Sequence, residues 1–153
     1  MNQRLDRLLQ LLDIKKEATR IAYQELVNAQ EQFKKHKLKH EQLVGYRQDY
    51  LKQVEAIGEH GTSVGRLRNR IDFISHLDMA LVQLNGHLAY LAKLRTKAGV
   101  HYKQTKTSEE GVVILIDRVK NVQSLKLQRI EQKENDEYAQ KQWYSDKIKE
   151  QSE

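Results

Sequence analysis

Gly58-Glu59-His60-Gly61-Thr62-Ser63-Val64-Gly65 is the stretch that divides this chain into two parts. It holds three glycines in eight residues and has no helical spacing of apolar residues, which is typical of a turn. Gly58 suits the position just past the end of a helix, and Thr62 or Ser63 suits the N-cap of the next one. Because a turn of this length makes two helices antiparallel neighbours, residues 58–65 predict a helical hairpin.

Apolar residues before the turn follow the 3.5-residue spacing of a coiled coil. Eleven of the sixteen positions on this spacing are apolar, which predicts a helix over about 3–57. We call these positions the first seam: 5, 8, 12, 15, 19, 22, 26, 29, 33, 36, 40, 43, 47, 50, 54 and 57.

The same spacing resumes after the turn and predicts a second helix over about 66–148. Thirteen of its nineteen positions are apolar. We call these positions the second seam: 67, 70, 74, 77, 81, 84, 88, 91, 95, 98, 102, 105, 109, 112, 116, 119, 123, 126 and 130. The sequence therefore predicts an all-α fold, a single antiparallel coiled-coil hairpin over 1–153 whose longer second helix projects at its C-terminal end.

One segment of the second helix departs from this pattern. Residues 106–111 look like a helix stop followed by a new start, and the β-branched run 112–116 could form a strand. A lone five-residue strand would have nothing to pair with, so we expect helix with room for a kink at 106–111.

The composition excludes several classes of protein. The 153 residues include no cysteine, which excludes disulfides, thiolate zinc sites and a cysteine nucleophile. No apolar run is long enough to span a membrane, so we expect a cytosolic protein. No phosphate-binding loop, Ser/His/Asp motif or HExxH motif is present, so we predict neither enzyme activity nor a cofactor.

The charge of +6 is unevenly distributed along the chain. Residues 1–57 carry +3, residues 58–130 carry +6 and residues 131–153 carry −3. The basic run 34–40 and the arginines at 66, 68 and 70 could contact phosphates, but no nucleic-acid-binding motif accompanies them. His36 and His40 have metal-ligand spacing without a third ligand, so we predict no metal site.

An apolar stripe near the turn is a candidate docking face. Phe73 lies off the second seam, and with Leu77, Ala80 and Leu84 it widens the apolar face next to the turn.

Four stretches of sequence carry a resemblance to a known family. The most specific is Glu131-Gln132-Lys133-x-x-Asp136-Glu137-x-Ala139 near the C-terminus. The others are 4–9 (Arg-Leu-Asp-Arg-Leu-Leu), 46–50 (Tyr-Arg-Gln-Asp-Tyr) and 67–80, which holds Leu67, Asn69, Phe73, Ile74, Leu77 and Ala80. With the hairpin length and the glycine turn, they make the chain similar to the FliJ family of flagellar type III export proteins. Thr105–Ile116 departs from this likeness, because it is less helix-prone than expected of a rod.

The resemblance implies a non-enzymatic, stalk-like role. The two terminal portions of such a hairpin sit in the hexameric export ATPase FliI and promote its assembly. They map here onto Leu5, Leu8, Leu9 and Leu12 and onto Glu131, Gln132, Lys133, Asp136, Glu137 and Tyr138. The turn-side portion binds the export gate protein FlhA, and Phe73, Leu77, Ala80 and Leu84 are the matching candidates. Some members also handle export chaperones, and the family works in the cytoplasm, peripherally at the inner-membrane export apparatus.

Two other interpretations stay open from the sequence. The chain could be the equivalent stalk protein of a virulence type III secretion system. It could instead be a basic coiled-coil adaptor or scaffold that binds nucleic acid, which steeply salt-dependent DNA binding would indicate.

Overall fold

Two long helices account for nearly all of the computed structural model, which describes residues 2–61 and 63–152. Helix α1 is Asn2–His60, with 59 residues, and helix α2 is Val64–Ser152, with 89 residues. The described residues contain no strand, and the two helices pack against each other. The predicted all-α hairpin with a longer second helix is confirmed.

The turn is shorter than the predicted 58–65, because both helices extend into it. The Gly61 N–H donates to the Ile57 carbonyl at 2.9 Å, and Gly61 has φ of 69°, in the left-handed region that ends many helices. Gly58 lies inside α1, so its predicted place just past the helix end was wrong. A side chain at Gly61 would be strained, whereas Gly58 needs only ordinary helical angles.

Ser63 is the N-cap of α2. Its carbonyl accepts from the Arg66 N–H at 3.2 Å, and its Oγ accepts from the same N–H at 3.4 Å. This satisfies a donor that the first turn of a helix leaves without an intrahelical partner. Thr62, the alternative cap, lies outside the described residues.

The heptad pattern predicted which side chains are covered. All sixteen positions of the first seam are buried or half-buried. Seventeen of the nineteen positions of the second seam are also buried or half-buried. The two exposed positions are Lys126 and Ile130 at its end. Polar seam residues such as Thr19 and Arg47 follow the same rule, so position along the helix decides burial here more than residue type does.

The turn-side unit comprises residues 17–106. Its helices are antiparallel and in constant register: Arg47 meets Asp78, and Tyr23 meets Tyr102 with ring centroids 5.5 Å apart. From the first contact to the second, the residue number falls by 24 in α1 and rises by 24 in α2, as antiparallel helices in one register require. Ala22, Ile74, Leu77 and Leu91 are its buried apolar side chains.

The terminal unit comprises residues 1–16 and 107–153. Val112 and Ile116 of α2 are its buried apolar side chains, and Leu5, Leu8 and Leu12 of α1 are half-buried. Every described residue from 124 to 152 is exposed. This part of α2 is therefore a helix with no covered face, as the sequence predicts for 131–150.

Helix α2 continues through the stretch 106–111 without interruption, and 112–116 is helical as well. Thr105, Glu109 and Val112 all lie on the second seam and are half-buried or buried. Packing of one helix face outweighs the weak helix propensity of this stretch, which tertiary contacts commonly do.

Candidate functional site

Phe73 is the exposed member of the candidate docking stripe in the turn-side unit. Its side chain is 43% exposed, and its ring lies 4.5 Å from that of Tyr50, tilted by 34°. Both rings line a shallow surface cleft with Arg66, Asn69 and Arg70. An aromatic face beside guanidinium groups offers apolar area and hydrogen-bond donors to a partner.

The other three residues of that stripe are less accessible. Leu77 is only 7% exposed, because it belongs to the core between the helices. Ala80 and Leu84 are half-buried. Leu77 and Leu84 occupy second-seam positions, which explains their burial. The structure therefore does not bring the four predicted residues together as one exposed face.

Two exposed apolar residues nearby were missed by the sequence reasoning. Met79 is 64% exposed and Val82 is 71% exposed, and they line a second shallow cleft with Ser75, Asp78 and Gln83. Both positions lie off the second seam. Searching for apolar residues outside the seam would have found them.

An ion pair links the two helices beside this second cleft. Arg47 Nε donates to Asp78 Oδ1 at 2.5 Å. Arg47 is a first-seam residue, and Asp78 lines the cleft that holds Met79 and Val82. The pair fixes the carboxylate at the edge of this apolar surface.

The basic run 34–40 contains a histidine contact between the helices. His36 Nδ1 lies 2.8 Å from the Gln32 carbonyl, so this nitrogen carries the hydrogen and donates it. The His36 ring packs edge-on against that of His87, with centroids 4.7 Å apart. Within the part of the chain that the structure describes, no three His, Asp or Glu side chains are grouped to hold a metal.

An exposed ion pair between Glu17 and Arg20 in α1 shifts the pKa values of both groups. Arg20 donates from Nε to Glu17 Oε2 at 3.0 Å and from Nη2 to Oε1 at 2.6 Å. These hydrogen bonds, with the charge of Arg20, hold the pKa of Glu17 below its ordinary value. Both side chains are more than half exposed, so the pair is a surface feature that contributes little to stability.

The N-terminal residues that are predicted to contact the ATPase ring lie mostly on the first seam. Leu5, Leu8 and Leu12 are half-buried, while Leu9 is exposed. Arg4 lines a cleft of about 550 Å³ with residues of α2 between Leu115 and Lys126. Leu9 is therefore the one leucine of this set with an open side chain.

The C-terminal candidates lie further along α2 than that cleft, and all are exposed: Glu131, Gln132, Lys133, Asp136, Glu137 and Tyr138. Tyr138 is 70% exposed. Beyond it, Trp143 contacts Tyr144 edge-on with centroids 5.2 Å apart, and Lys147 Nζ lies 4.6 Å from the Trp143 ring centre. This is an exposed helix that carries charges and aromatic rings on all sides.

The comparison with known families decides the assignment. The sequence matches the family model described as Flagellar FliJ protein over residues 3–147, nearly the whole chain. The chain belongs to the FliJ family. This membership makes it a flagellar export-related protein, as the resemblance implied.

No curated protein and no solved structure matches the chain, so the assignment to the FliJ family rests on the family match.

Neither described helix has the length of apolar sequence needed to cross a bilayer.

Proposed function

We propose that this FliJ-family chain is a non-enzymatic, stalk-like component of flagellar type III export. Its terminal segments insert in the ring of the export ATPase and promote the assembly and activity of that ring. Its turn-side unit contacts the export gate protein. The site of action is the cytoplasmic face of the export apparatus, with peripheral membrane association, and export chaperones are further candidate partners.

The observation that carries this proposal is the exposure of α2 from 124 to 152. A helix this long without a packed face keeps Tyr138, Trp143, Tyr144 and Ile148 in water. Exposed aromatic side chains on a charged helix are the composition expected of a protein contact that is weak and partly polar. Such a contact allows a stalk to take successive orientations within a ring.

Site-specific photo-crosslinking tests where the ring binds. A photoreactive phenylalanine replaces Tyr138 in one variant and Tyr90 in another, because both tyrosines are exposed but Tyr90 lies in the turn-side unit. With purified FliI, we expect a crosslink from position 138 and none from position 90. Crosslinking from position 90 alone would contradict insertion through the C-terminal segment.

We propose that the gate contact uses Phe73, with the cleft that it shares with Tyr50 as the contact surface. Phe73 is 43% exposed, whereas burial removes the Leu77 side chain of the sequence-based set from any partner. Met79 and Val82 are exposed too, but they lie roughly 120° and 180° around α2 from Phe73 and so belong to another face. Binding of the cytoplasmic part of FlhA should weaken on Phe73→Ala, with Val82→Ala on the opposite face as the exposed control.

The family match favours this role over the equivalent stalk of a virulence secretion system. The net positive charge of residues 58–130 is the observation that supports the basic adaptor hypothesis. That hypothesis predicts salt-dependent DNA binding, which a titration with DNA at several salt concentrations measures.

A further inference from the structure

One face of α2 in the terminal unit carries a stripe of side chains that continues past the buried part of the second seam. Nine of its ten residues are exposed, and Val119 is half-buried. The spacing averages roughly 3.7 residues, close to the helical repeat, so the stripe keeps to one face. We call this the overhang stripe: Leu115, Val119, Val122, Lys126, Ile130, Lys133, Glu137, Gln140, Tyr144 and Ile148.

Reversing the order of residues in the overhang stripe matches its two ends and one charged pair, whereas Ile130 meets Lys133 next to the middle and Val122 comes opposite Gln140. Apolar residues lie at both ends, and Lys126 and Glu137 lie at matching distances from the middle. In an antiparallel pair of stripes centred between residues 131 and 132, Leu115 faces Ile148 and Val119 faces Tyr144. Lys126 of each copy then faces Glu137 of the other, and the two-fold axis repeats every pairing.

Charge favours the same antiparallel arrangement. Residues 115–130 contain four basic residues and one acidic residue, a net +3. Residues 131–148, the other half of the paired segment, contain three basic and five acidic residues, a net −2. An antiparallel pair places the basic segment of one copy on the acidic segment of the other. A parallel pair would place like charge on like charge.

A cleft lies where the end of a second copy would pack. It has a volume of about 550 Å³ and is formed beside the start of α1. Its lining is Arg4, Leu115, Arg118, Val119, Val122, Gln123 and Lys126. The antiparallel register places Tyr144 and Ile148 of the second copy against Leu115, Val119 and Val122. The cleft thus has an apolar floor for these two side chains and a basic rim for the acidic residues around them.

We propose that a second copy of this chain docks on the overhang stripe, so that two molecules pair antiparallel through residues 115–148 of α2. The contact covers about 50 Å of each helix. Charged residues in the middle of the stripe weaken the pair but fix its register, as buried polar positions do in coiled coils. The dimer is therefore a weak one that forms in the absence of other partners.

Charge reversal at the layer where Lys126 faces Glu137 gives the sharpest test. Lys126→Glu alone and Glu137→Lys alone each create two like-charge contacts in the dimer, and circular dichroism checks that each variant keeps its helix content. Sedimentation of the 153-residue chain should show that each variant self-associates about tenfold more weakly than the unsubstituted chain. An equimolar mixture of the two variants should recover association, because both reversed contacts become attractive.

An apolar test with a matched control accompanies it. Val122→Asp should abolish association, whereas Leu127→Asp should not. Leu127 is 62% exposed against 50% for Val122, and it lies roughly 100° around the helix from the centre of the stripe. Circular dichroism confirms that both variants stay helical.

Crosslinking fixes the direction of pairing, because the chain has no native cysteine. Mild oxidation of a mixture of Leu115→Cys and Ile148→Cys chains should give a mixed disulfide dimer. A monomer at every concentration, or no recovery in the charge-reversal mixture, would overturn the proposal. All these experiments use this chain alone, so a negative result would count against the dimer and not against the proposed stalk function. Conversely, a failure to bind the ATPase would not count against the dimer.

Discussion

Tyr50 of α1 and Phe73 of α2 face each other beside the turn, with ring centroids 4.5 Å apart. The contact is part of the hairpin's packing, yet Phe73 keeps 43% of its side chain exposed. One residue thus serves both the contact between helices and the surface proposed for the gate protein. Leu77, one helical turn further along α2, takes part only in the contact between the helices.

Alanine substitutions separate the two roles. Leu77→Ala should lower the free energy of unfolding by about 2–3 kcal/mol, because it leaves a cavity in the core. Phe73→Ala should cost about 1 kcal/mol, because the ring is only partly covered. Chemical denaturation measures both, and FlhA binding to Phe73→Ala should weaken while its helix content is unchanged. Unaltered binding by Phe73→Ala would count against the proposed gate surface.

The two glycines near the turn should respond oppositely to alanine. Gly61→Ala should destabilise the chain by about 1 kcal/mol, because Gly61 adopts φ of 69°. Gly58→Ala should stabilise it by up to about 1 kcal/mol, because Gly58 is helical and the space beside it is open. Denaturant midpoints of the two variants give both values. The same sign of change in both would contradict the observed end of α1.

A double-mutant cycle measures the ion pair between Arg47 and Asp78. Both side chains are more than a third exposed, so the coupling free energy should be about 0.5–1 kcal/mol and should fall at high salt. The cycle uses Arg47→Ala, Asp78→Ala and the double variant. Strictly additive effects of the two substitutions at low salt would show that the pair contributes nothing to the free energy of unfolding.

Acid titration should reveal the Glu17–Arg20 pair. Hydrogen bonds from Arg20 lower the pKa of Glu17 in the folded chain, so the pair stabilises the fold above the unfolded-state pKa of this carboxyl group. That contribution is lost as the pH falls through the lowered, folded-state pKa. Carboxyl-carbon NMR titration should show the pKa of Glu17 rising to its ordinary value in Arg20→Ala. No change in that pKa would contradict the contact.

The heptad spacing was sufficient to predict most of the fold. Every first-seam position is covered, including polar ones such as Lys15 and His36, because coverage depends on which face of α1 meets α2. The exposure of 131–150 followed from the unequal helix lengths. The helix ends were harder to place, since Gly58 and Gly61 are equally good stop signals and only the φ at Gly61 distinguishes them.

The candidate site was less predictable for a physical reason. Contacts such as Arg47–Asp78 and His36–His87 depend on the register between helices, which is set by the turn and is not encoded in either helix alone. Leu77 was assigned to a docking stripe because its spacing from Phe73 is helical, although its seam position determines that it is buried. Met79 and Val82 lie off the second seam, so the heptad spacing alone does not single them out.

The most direct test of the stalk function is the turnover of purified FliI with increasing amounts of this chain. We expect turnover and ring formation to rise with the unsubstituted chain and with Phe73→Ala, and to rise less with Tyr138→Ala, which changes an exposed residue of the C-terminal segment. Unchanged turnover at every ratio, or equal stimulation by Tyr138→Ala and the unsubstituted chain, would contradict the proposal that the exposed end of α2 engages the ATPase ring.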